Sequence, residues 1–368
     1  MDEVTKLIRK AKRDSAGAEE AASRLADAGA DAAPAIIRAM RKDPEGNTFY
    51  LRRALLQMRD PKLVPLMLEL LSEEETYLRS TAFEVLGQSG DERGFKPLLE
   101  QLQDKENLAT ARLWAAKALG ELKDARAVPA LLELIEEIGE TRVPKHRAGL
   151  LIETVVALAK LGRQEKSPAV IALAGHRDQS LRTSAVKALK YLVGPGLFPA
   201  LQKALRARND EIRQDAIDAI FYLGSKESIE ELGRRAGDAN PDMATEKIAR
   251  LRDLTGVELD FYAKPEKIRR ALAELKKEFE PGVCYRLGRP IHLPDVIAQL
   301  KSPFRRGKLV EELRVITGQD FARGRQVATG EQPQLFEEAQ KWWQREGRKF
   351  KPGRLYKYGW EQSLEDVF

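Results

Sequence analysis

The sequence is poor in the residues that build disulfides and metal centres: its 368 residues include one cysteine, Cys284, and three histidines. One cysteine cannot form an internal disulfide, and the N-terminal segment lacks the apolar run of a secretion signal, so we expect a cytoplasmic protein. No apolar run reaches the roughly 18 residues of a membrane span. His146, His176 and His292 have no second His or Cys at ligand spacing, so we expect neither a metal nor a cofactor.

Signatures of catalysis are missing as well. There is no Gly-rich phosphate loop, and the two Thr-Gly dipeptides read as helix ends. Cys284 stands beside Tyr285 in a predicted strand, where a packed, small apolar side chain is expected rather than a nucleophile. We therefore expect a protein that is not an enzyme, with a lyase or a DNA glycosylase as weaker alternatives.

Basic residues are concentrated at the C-terminal end. The formal charge is +6 over the whole chain, whereas residues 264–368 hold 22 Lys and Arg against 15 Asp and Glu, a difference of +7. The preceding 263 residues are close to neutral. An electrostatic preference for a partner is therefore expected in the C-terminal region.

The first 250 residues repeat two short phrases. The first phrase begins at Ile36, Leu66, Leu98, Leu131, Val170, Leu201 and Ile229, with spacings of 28 to 39 residues. A proline precedes most of these phrases, as expected in the first turn of a helix, where its missing N–H has no partner to lose. These prolines are Pro34, Pro65, Pro97, Pro129, Pro168 and Pro199.

The second phrase predicts the second helix of each unit. It begins at Leu51, Leu78, Ala111, Leu181 and Ile212. Ala82, Ala115, Ala185 and Ala216 share one register, where small side chains let helices approach closely, and Gly87, Gly120 and Gly224 are expected to stop the helices. Apolar residues at i, i+3, i+4 and i+7 give each helix one stripe to bury, so the hairpins should stack into a right-handed α-solenoid with an all-α fold.

These repeats resemble the HEAT-repeat family, in particular bacterial HEAT-like repeats of the type found in phycobilisome lyases. The resemblance is carried by the proline before the helix, the Leu-Arg-x-x-Ala opening of the second helix, and the string from Ala118 to Leu132. It implies a fold and no activity. The segment 136–168 departs from the period, and a longer connection or bend is expected there.

Residues 251–368 contain a duplication. LRDLTG precedes EFEPGVCYRLG in copy one (251–292), and LRVITG precedes KFKPGRLYKYG in copy two (313–360). Each copy reads as a helix, a second helix, a Pro-Gly turn and a short strand. The two strands are expected to pair with each other in a small mixed cap on the last helix of the solenoid, and ARGRQVATGEQ in copy two reads as a loop. Similar segments occur at the ends of bacterial HEAT-repeat proteins.

Two groups of residues are candidates for binding a partner. One is a row of arginines near the start of each second helix, which could line a concave face or pair with carboxylates of neighbouring repeats. The acids Asp60, Asp91, Asp124 and Asp210 favour the second interpretation. The row consists of Arg52, Arg79, Arg112, Arg182 and Arg213.

The other group is Trp342 and Trp343 in a basic field that includes Arg348, Lys349, Arg354 and Lys357. Adjacent helical positions point about 100° apart, so we expect one Trp in the core and the other nearer the surface. The sequence thus predicts a non-catalytic scaffold or adaptor that binds protein partners through a concave solenoid face and a basic tail. Binding of nucleic acid or another polyanion by the tail is the alternative.

Overall fold

The chain folds into two compact units of α-helical hairpins. The computed structural model describes residues 3–13, 17–43, 47–58, 60–73, 76–139, 143–238, 240–261, 263–275, 279–302, 306–322 and 333–368. Within these ranges there are 20 α-helices and two small β-hairpins, and the fold is 69% helical. The prediction of an all-α fold built from HEAT-like hairpins is confirmed.

Among the described residues, the first unit comprises 3–139 with Ala322, and the second comprises 143–321 with 333–368. The boundary after Gly139 lies in the segment where the repeat period lengthens. The predicted division near residue 250 lies inside the second unit, so the separation of repeats from tail stays a prediction about sequence organisation.

The first unit contains nine helices among the described residues. They are α1 (Glu3–Lys12), α2 (Ala18–Asp27), α3 (Ala33–Lys42), α4 (Phe49–Gln57), α5 (Leu63–Leu70), α6 (Thr76–Ser89), α7 (Phe95–Gln103), α8 (Ala109–Leu122) and α9 (Val128–Ile138).

The second unit contains the other described helices and both hairpins. The helices are α10 (Lys145–Lys160), α11 (Ser167–Leu173), α12 (Gln179–Ala188), α13 (Leu197–Ala204), α14 (Asp210–Phe221), α15 (Lys226–Arg234), α16 (Pro241–Thr255), α17 (Pro265–Leu275), α18 (Leu293–Ala298), α19 (Arg306–Thr317) and α20 (Pro333–Glu346). The strands are β1 (Tyr285–Arg286), β2 (Arg289–Pro290), β3 (Leu355–Lys357) and β4 (Trp360–Gln362).

The predicted helix pairs are confirmed in both units. Each of the six prolines lies within the first three residues of its helix, in α3, α5, α7, α9, α11 and α13. The side chains of Ala82, Ala115, Ala185 and Ala216 are fully buried. The register of small residues therefore marks the line along which neighbouring helices touch.

The predicted role of two glycines is wrong. Gly87 and Gly120 lie inside α6 and α8 rather than at their ends, and only Gly224 of the three follows a helix end, with φ +63°. A Cβ at Gly87 would lie 2.7 Å from the Cα of Ala118 on α8. Gly87 is therefore needed because two helix backbones meet there.

The duplicated phrase in the tail forms the same structure twice, which we call the helix-end clasp. In copy one, Thr255 and Gly256 end α16, and the tight turn of the first hairpin, Leu287 and Gly288, lies against them. Leu287 N–H donates to Asp253 O at 2.8 Å, and Gly288 N–H donates to Leu254 O at 2.9 Å. The turn thereby satisfies helix carbonyls that have no partner within the helix.

Copy two repeats these bonds at the end of α19. Tyr358 N–H donates to Val315 O and Gly359 N–H donates to Ile316 O, both at 2.7 Å. Leu287, Gly288, Tyr358 and Gly359 all have positive φ, between 49° and 87°. This is the backbone that a two-residue hairpin turn of the type I′ family requires.

The tyrosine of each phrase holds its Pro-Gly turn in place. The hydroxyl of Tyr285 accepts the N–H of Glu280 at 2.6 Å, and that of Tyr356 accepts the N–H of Lys351 at 2.9 Å. Gly282 and Gly353 have the predicted positive φ, 75° and 71°. The repeated phrase therefore encodes a fold element.

The prediction that the two tail strands pair with each other is wrong. β1 pairs with β2 and β3 pairs with β4, so each copy closes its own antiparallel hairpin. The copies touch through single backbone bonds: Cys284 N–H donates to Gly353 O at 2.8 Å, and Gly353 N–H donates to Ile291 O at 2.9 Å. Each strand pairs within its own copy because the turn of its hairpin is bonded to the first helix of that copy, α16 or α19.

The hairpins also lie elsewhere than predicted. Tyr285 N–H donates to Gly224 O at 2.8 Å just after α14, and Trp360 Nε1 donates to Lys160 O at 3.2 Å at the end of α10. The tail therefore runs back along the C-terminal ends of second helices within its unit. It does not only cover the last helix. The predicted loop ARGRQVATGEQ falls, beyond its first residue, outside the described residues.

Candidate interaction surface

The five arginines near the starts of the second helices are all bonded within the chain. Arg52 pairs with Glu84 of the next hairpin, and Arg112 holds Glu137 through two bonds of 2.8 and 2.7 Å. The bonds to Glu137 raise the pKa of the Arg112 guanidinium. Arg213 pairs with Asp210 and, at 3.3 Å, with Asp238.

The remaining two arginines bind uncharged oxygens. Arg79 donates to the amide oxygens of Gln101 and Asn107 at 2.8 and 2.9 Å, and Arg182 donates to the His176 carbonyl at 2.8 Å. These contacts favour the structural interpretation of the arginine row. Its binding to a partner stays a prediction.

Most of the acids suggested as partners are used elsewhere. Asp91 and Asp124 cap short 3-10 turns and bind Arg93 and Arg126, two residues further along the chain. The hydrogen bond from Arg93 lowers the pKa of Asp91 to about 2. Of the four acids, only Asp210 pairs with an arginine of the row. Asp91 and Asp124 are instead bonded to the turns that they cap.

The two tryptophans of α20 separate as predicted. Trp342 is 6% exposed and packs between Phe321 and Phe350, with ring centroids 5.5 and 5.6 Å away. Trp343 is half-buried and covers Gly347, where a Cβ would lie 2.4 Å from its ring. Trp342 is therefore a core residue, and only Trp343 reaches the surface.

Lys341 and Arg345 are exposed on α20, and Arg348 is exposed in the 3-10 turn 347–349 that follows it; we call these three cations the basic row. Lys341 and Arg345 are four residues apart and therefore lie on the same side of α20. Successive residues turn by about 100° around a helix, so Lys341 and Trp343 lie on opposite sides of Trp342. None of the three side chains has a hydrogen bond or ion pair with another described residue.

The other predicted basic residues of the tail divide into two classes. Lys349 and Arg354 are exposed, and their nearest carboxylates, Glu346 and Glu361, are 3.9 and 3.7 Å away. Lys357 is 1% exposed, so its assignment to a binding surface is wrong. It lies in β3, all three residues of which are buried.

A buried charged cluster lies between α14, α16, α19 and the first hairpin. The guanidinium groups of Arg250 and Arg286 lie over the Phe221 ring, 4.1 and 3.9 Å from its centroid. Arg250 pairs with Asp218 at 2.6 Å, and Arg286 pairs with Glu312. Burial raises the pKa of the Glu312 carboxyl. The sequence patterns did not reveal this cluster, because its members come from four distant segments.

A cavity of about 290 Å³ adjoins this cluster. The described residues that line it include Arg250, Asp253, Arg286, Lys308 and Glu312. Lys308 pairs with Glu246 at 2.5 Å, so the cations at this cavity are engaged by carboxylates of the same unit.

Two further features concern chemistry and membranes. Cys284 is buried, and burial raises the pKa of its thiol to about 12, so the thiolate is scarce at neutral pH. Over the described ranges, no group of three or more His, Cys, Asp or Glu side chains is arranged to hold a metal ion. No described helix has both the length and the apolar character to cross a bilayer.

The fold and these contacts define a protein of stacked helical hairpins, and the comparisons agree. The HEAT-repeat family model matches residues 50–112 and 64–143. Residues 50–143 are therefore HEAT repeats, as the repeated phrases predicted. Comparison with curated protein sequences gave no match.

Several solved structures are similar to this chain. The complex of CpcE and CpcF of phycocyanin lyase from Nostoc sp. PCC7120 is 20% identical, with 61% of this chain and 90% of that chain covered and a TM-score of 0.38. YibA of Escherichia coli is 17% identical, with 72% and 99% covered and a TM-score of 0.46. Human deoxyhypusine hydroxylase in complex with glycerol is 15% identical, with 75% and 94% covered and a TM-score of 0.29. These likenesses carry no functional assignment.

Proposed function

We propose that the protein is a cytoplasmic, non-catalytic scaffold or adaptor that binds an acidic protein surface through the basic row of α20. HEAT repeats are a fold typical of protein-interaction scaffolds, because their extended surfaces bind with little rearrangement.

One observation carries the proposal: the side chains of Lys341, Arg345 and Arg348 are exposed at the C-terminal end of α20 and in the turn after it, and they have no partner within the described chain. The five arginines near the starts of the second helices, in contrast, are bonded internally. Cations without an intramolecular partner are free to attract carboxylates of another protein, and complementary charge speeds association and selects the partner.

The test replaces Lys341, Arg345 and Arg348 together by glutamine. The matched control replaces Lys42, Lys96 and Lys105, which are exposed residues of the first unit, and changes the net charge equally. Affinity capture from a nuclease-treated lysate of the native cells, followed by mass spectrometry, should yield proteins that bind the wild type and the control but not the row variant.

A gel shift with duplex DNA at low salt distinguishes the alternative. A phosphate binder that uses three cations should show an affinity falling by roughly 0.9 log unit per contact for each decade of salt, so the row variant should lose about three such contacts. Such a result, or equal capture by the row variant and the control, would overturn the acidic-protein proposal.

A further inference from the structure

The second hairpin, β3–β4, packs on the ends of α10 and α12, and we call this place the seat. The seat contains a lysine that lacks a counter-ion. Lys357 of β3 is 1% exposed, and its Nζ donates to the carbonyl of Lys190, just after α12, at 2.7 Å. No carboxylate of the described chain forms an ion pair with it. A buried ammonium without a carboxylate is unfavourable, and burial therefore favours the neutral amine.

The duplication supplies an internal comparison. Lys357 follows Tyr356 in copy two as Arg286 follows Tyr285 in copy one, so the two cations occupy equivalent positions in the clasps. Arg286 is also buried, but it pairs with Glu312 of α19. The lack of a counter-ion is thus a property of the second copy and not of the motif.

The neighbourhood of Lys357 is rich in cations. Lys160 and Lys190 lie against the Tyr191 ring, with Nζ 6.0 and 5.1 Å from its centroid, and Lys160 also lies 5.4 Å from the Tyr358 ring. Glu311 is engaged by Lys190 at 2.8 Å. The titratable or charged groups around the seat are Lys160 of α10, Lys187 of α12, Lys190 and Tyr191 after it, Asp215 of α14, Glu311 and Arg314 of α19, Cys284, Arg354 and Tyr358.

Within the described chain, this hairpin and the residues after it form few hydrogen bonds with the ends of α10 and α12 and the start of α13. Besides Lys357, Trp360 Nε1 donates to Lys160 O at 3.2 Å, and the Val367 carbonyl accepts the Phe198 N–H at 3.4 Å. The Phe368 ring packs edge-on against Phe198, at a centroid distance of 4.7 Å. A change of charge at Lys357 therefore acts directly on one of these three hydrogen bonds.

We propose that Lys357 makes the seating of the β3–β4 hairpin on the ends of α10 and α12 dependent on pH, with the seat closed more firmly as the medium becomes alkaline. When the hairpin leaves the seat, the amine reaches water and takes up a proton. When it returns, that proton is released again.

The direction and range of the effect follow from the two states of the amine. In the seat, burial lowers the pKa of Lys357 from 10.5 to about 7. Between these values the released hairpin carries an ammonium and the seated hairpin an amine, so each rise of one pH unit favours the seat by about tenfold. Below about pH 7 both states are protonated, and the seat weakens no further.

The test measures hydrogen exchange of the full chain between pH 6 and 9, with intrinsic exchange rates divided out. We expect the protection of the Trp360 indole N–H, which donates to Lys160 O, and of the Phe198 amide, which donates to Val367 O, to rise by about tenfold per pH unit above pH 7 and to be flat below it. The first hairpin should show no such rise. Lys357→Met should abolish the slope, and Lys349→Met, at an exposed lysine, should leave it unchanged.

A titration of Lys357 in the wild-type protein tests the proposal even if the Lys357→Met variant does not fold. The ¹³Cε resonance of Lys357 should titrate with a midpoint near pH 7. A midpoint above about pH 10, a protection of the Trp360 indole N–H that does not change with pH, or an undiminished slope in Lys357→Met would overturn the proposal.

Discussion

The role of a single residue in this protein depends on which residue of the neighbouring helix it contacts. Gly87 shows this most clearly, because its position in the sequence suggests a helix stop while its neighbour in space is the backbone of α8. The arginines of the repeats show it too: the side chain is the same at each position, but the partner is Glu84, Glu137, an amide or a carbonyl, depending on the adjacent hairpin.

Gly87→Ala is expected to destabilise the first unit by about 1 to 3 kcal/mol. The added Cβ would lie 2.7 and 2.8 Å from backbone atoms of Ala118, which cannot move aside as a flexible side chain could. Urea unfolding should show a lower midpoint with an unchanged slope. Gly94→Ala is the control, since its Cβ would meet Leu86 at an ordinary 3.6 Å, and an equal loss in both variants would contradict the explanation.

At the scale of elements, the helix-end clasp explains the repeated phrase of the tail. Thr-Gly ends a helix, and the Tyr-x-x-Gly segment forms a turn whose N–H groups bind the last carbonyls of that helix. The glycines are required at both places because they adopt positive φ where two backbones touch.

Alanine substitutions of the glycines in the duplicated phrase should destabilise the protein more where less space surrounds the glycine. A Cβ at Gly288 would lie 2.7 Å from Thr255 O and one at Gly359 3.2 Å from Thr317 O, whereas one at Gly282 meets nothing within 4 Å. Since all three have positive φ, each variant should lose about 1 kcal/mol or more, in the order Gly288→Ala, Gly359→Ala, Gly282→Ala. Thermal unfolding measures the order, and a larger loss for Gly282→Ala would refute it.

At the scale of the whole molecule, the tail is part of the second unit. Its hairpins bind backbone atoms at Lys160, Lys190 and Gly224, which belong to the ends of α10, α12 and α14. The aromatic rings of Tyr191 and Tyr358 lie together there, 5.4 Å apart. Removing the tail would therefore open the second unit along these helix ends.

A chain truncated after residue 250 should lose hydrogen-exchange protection in α10, α12 and α14. The reason is that Leu355, Tyr356, Tyr358 and Val367, all buried in the full chain, no longer cover these ends. The helices of the first unit provide the internal comparison. Full protection of α10 to α14 in the truncated chain would show that the tail is only a cap.

The sequence by itself determined the helical hairpins, their prolines and alanines, the duplication, and the separation of Trp342 from Trp343. These features depend on local spacing, because helix periodicity and turn chemistry act over a few residues. Only the tertiary structure decided that each tail strand closes its own hairpin, that Lys357 is buried, that Gly87 lies against α8, and that Arg250, Phe221 and Arg286 stack. Those outcomes depend on segments far apart in the chain, whose contacts are set by which surfaces meet after folding.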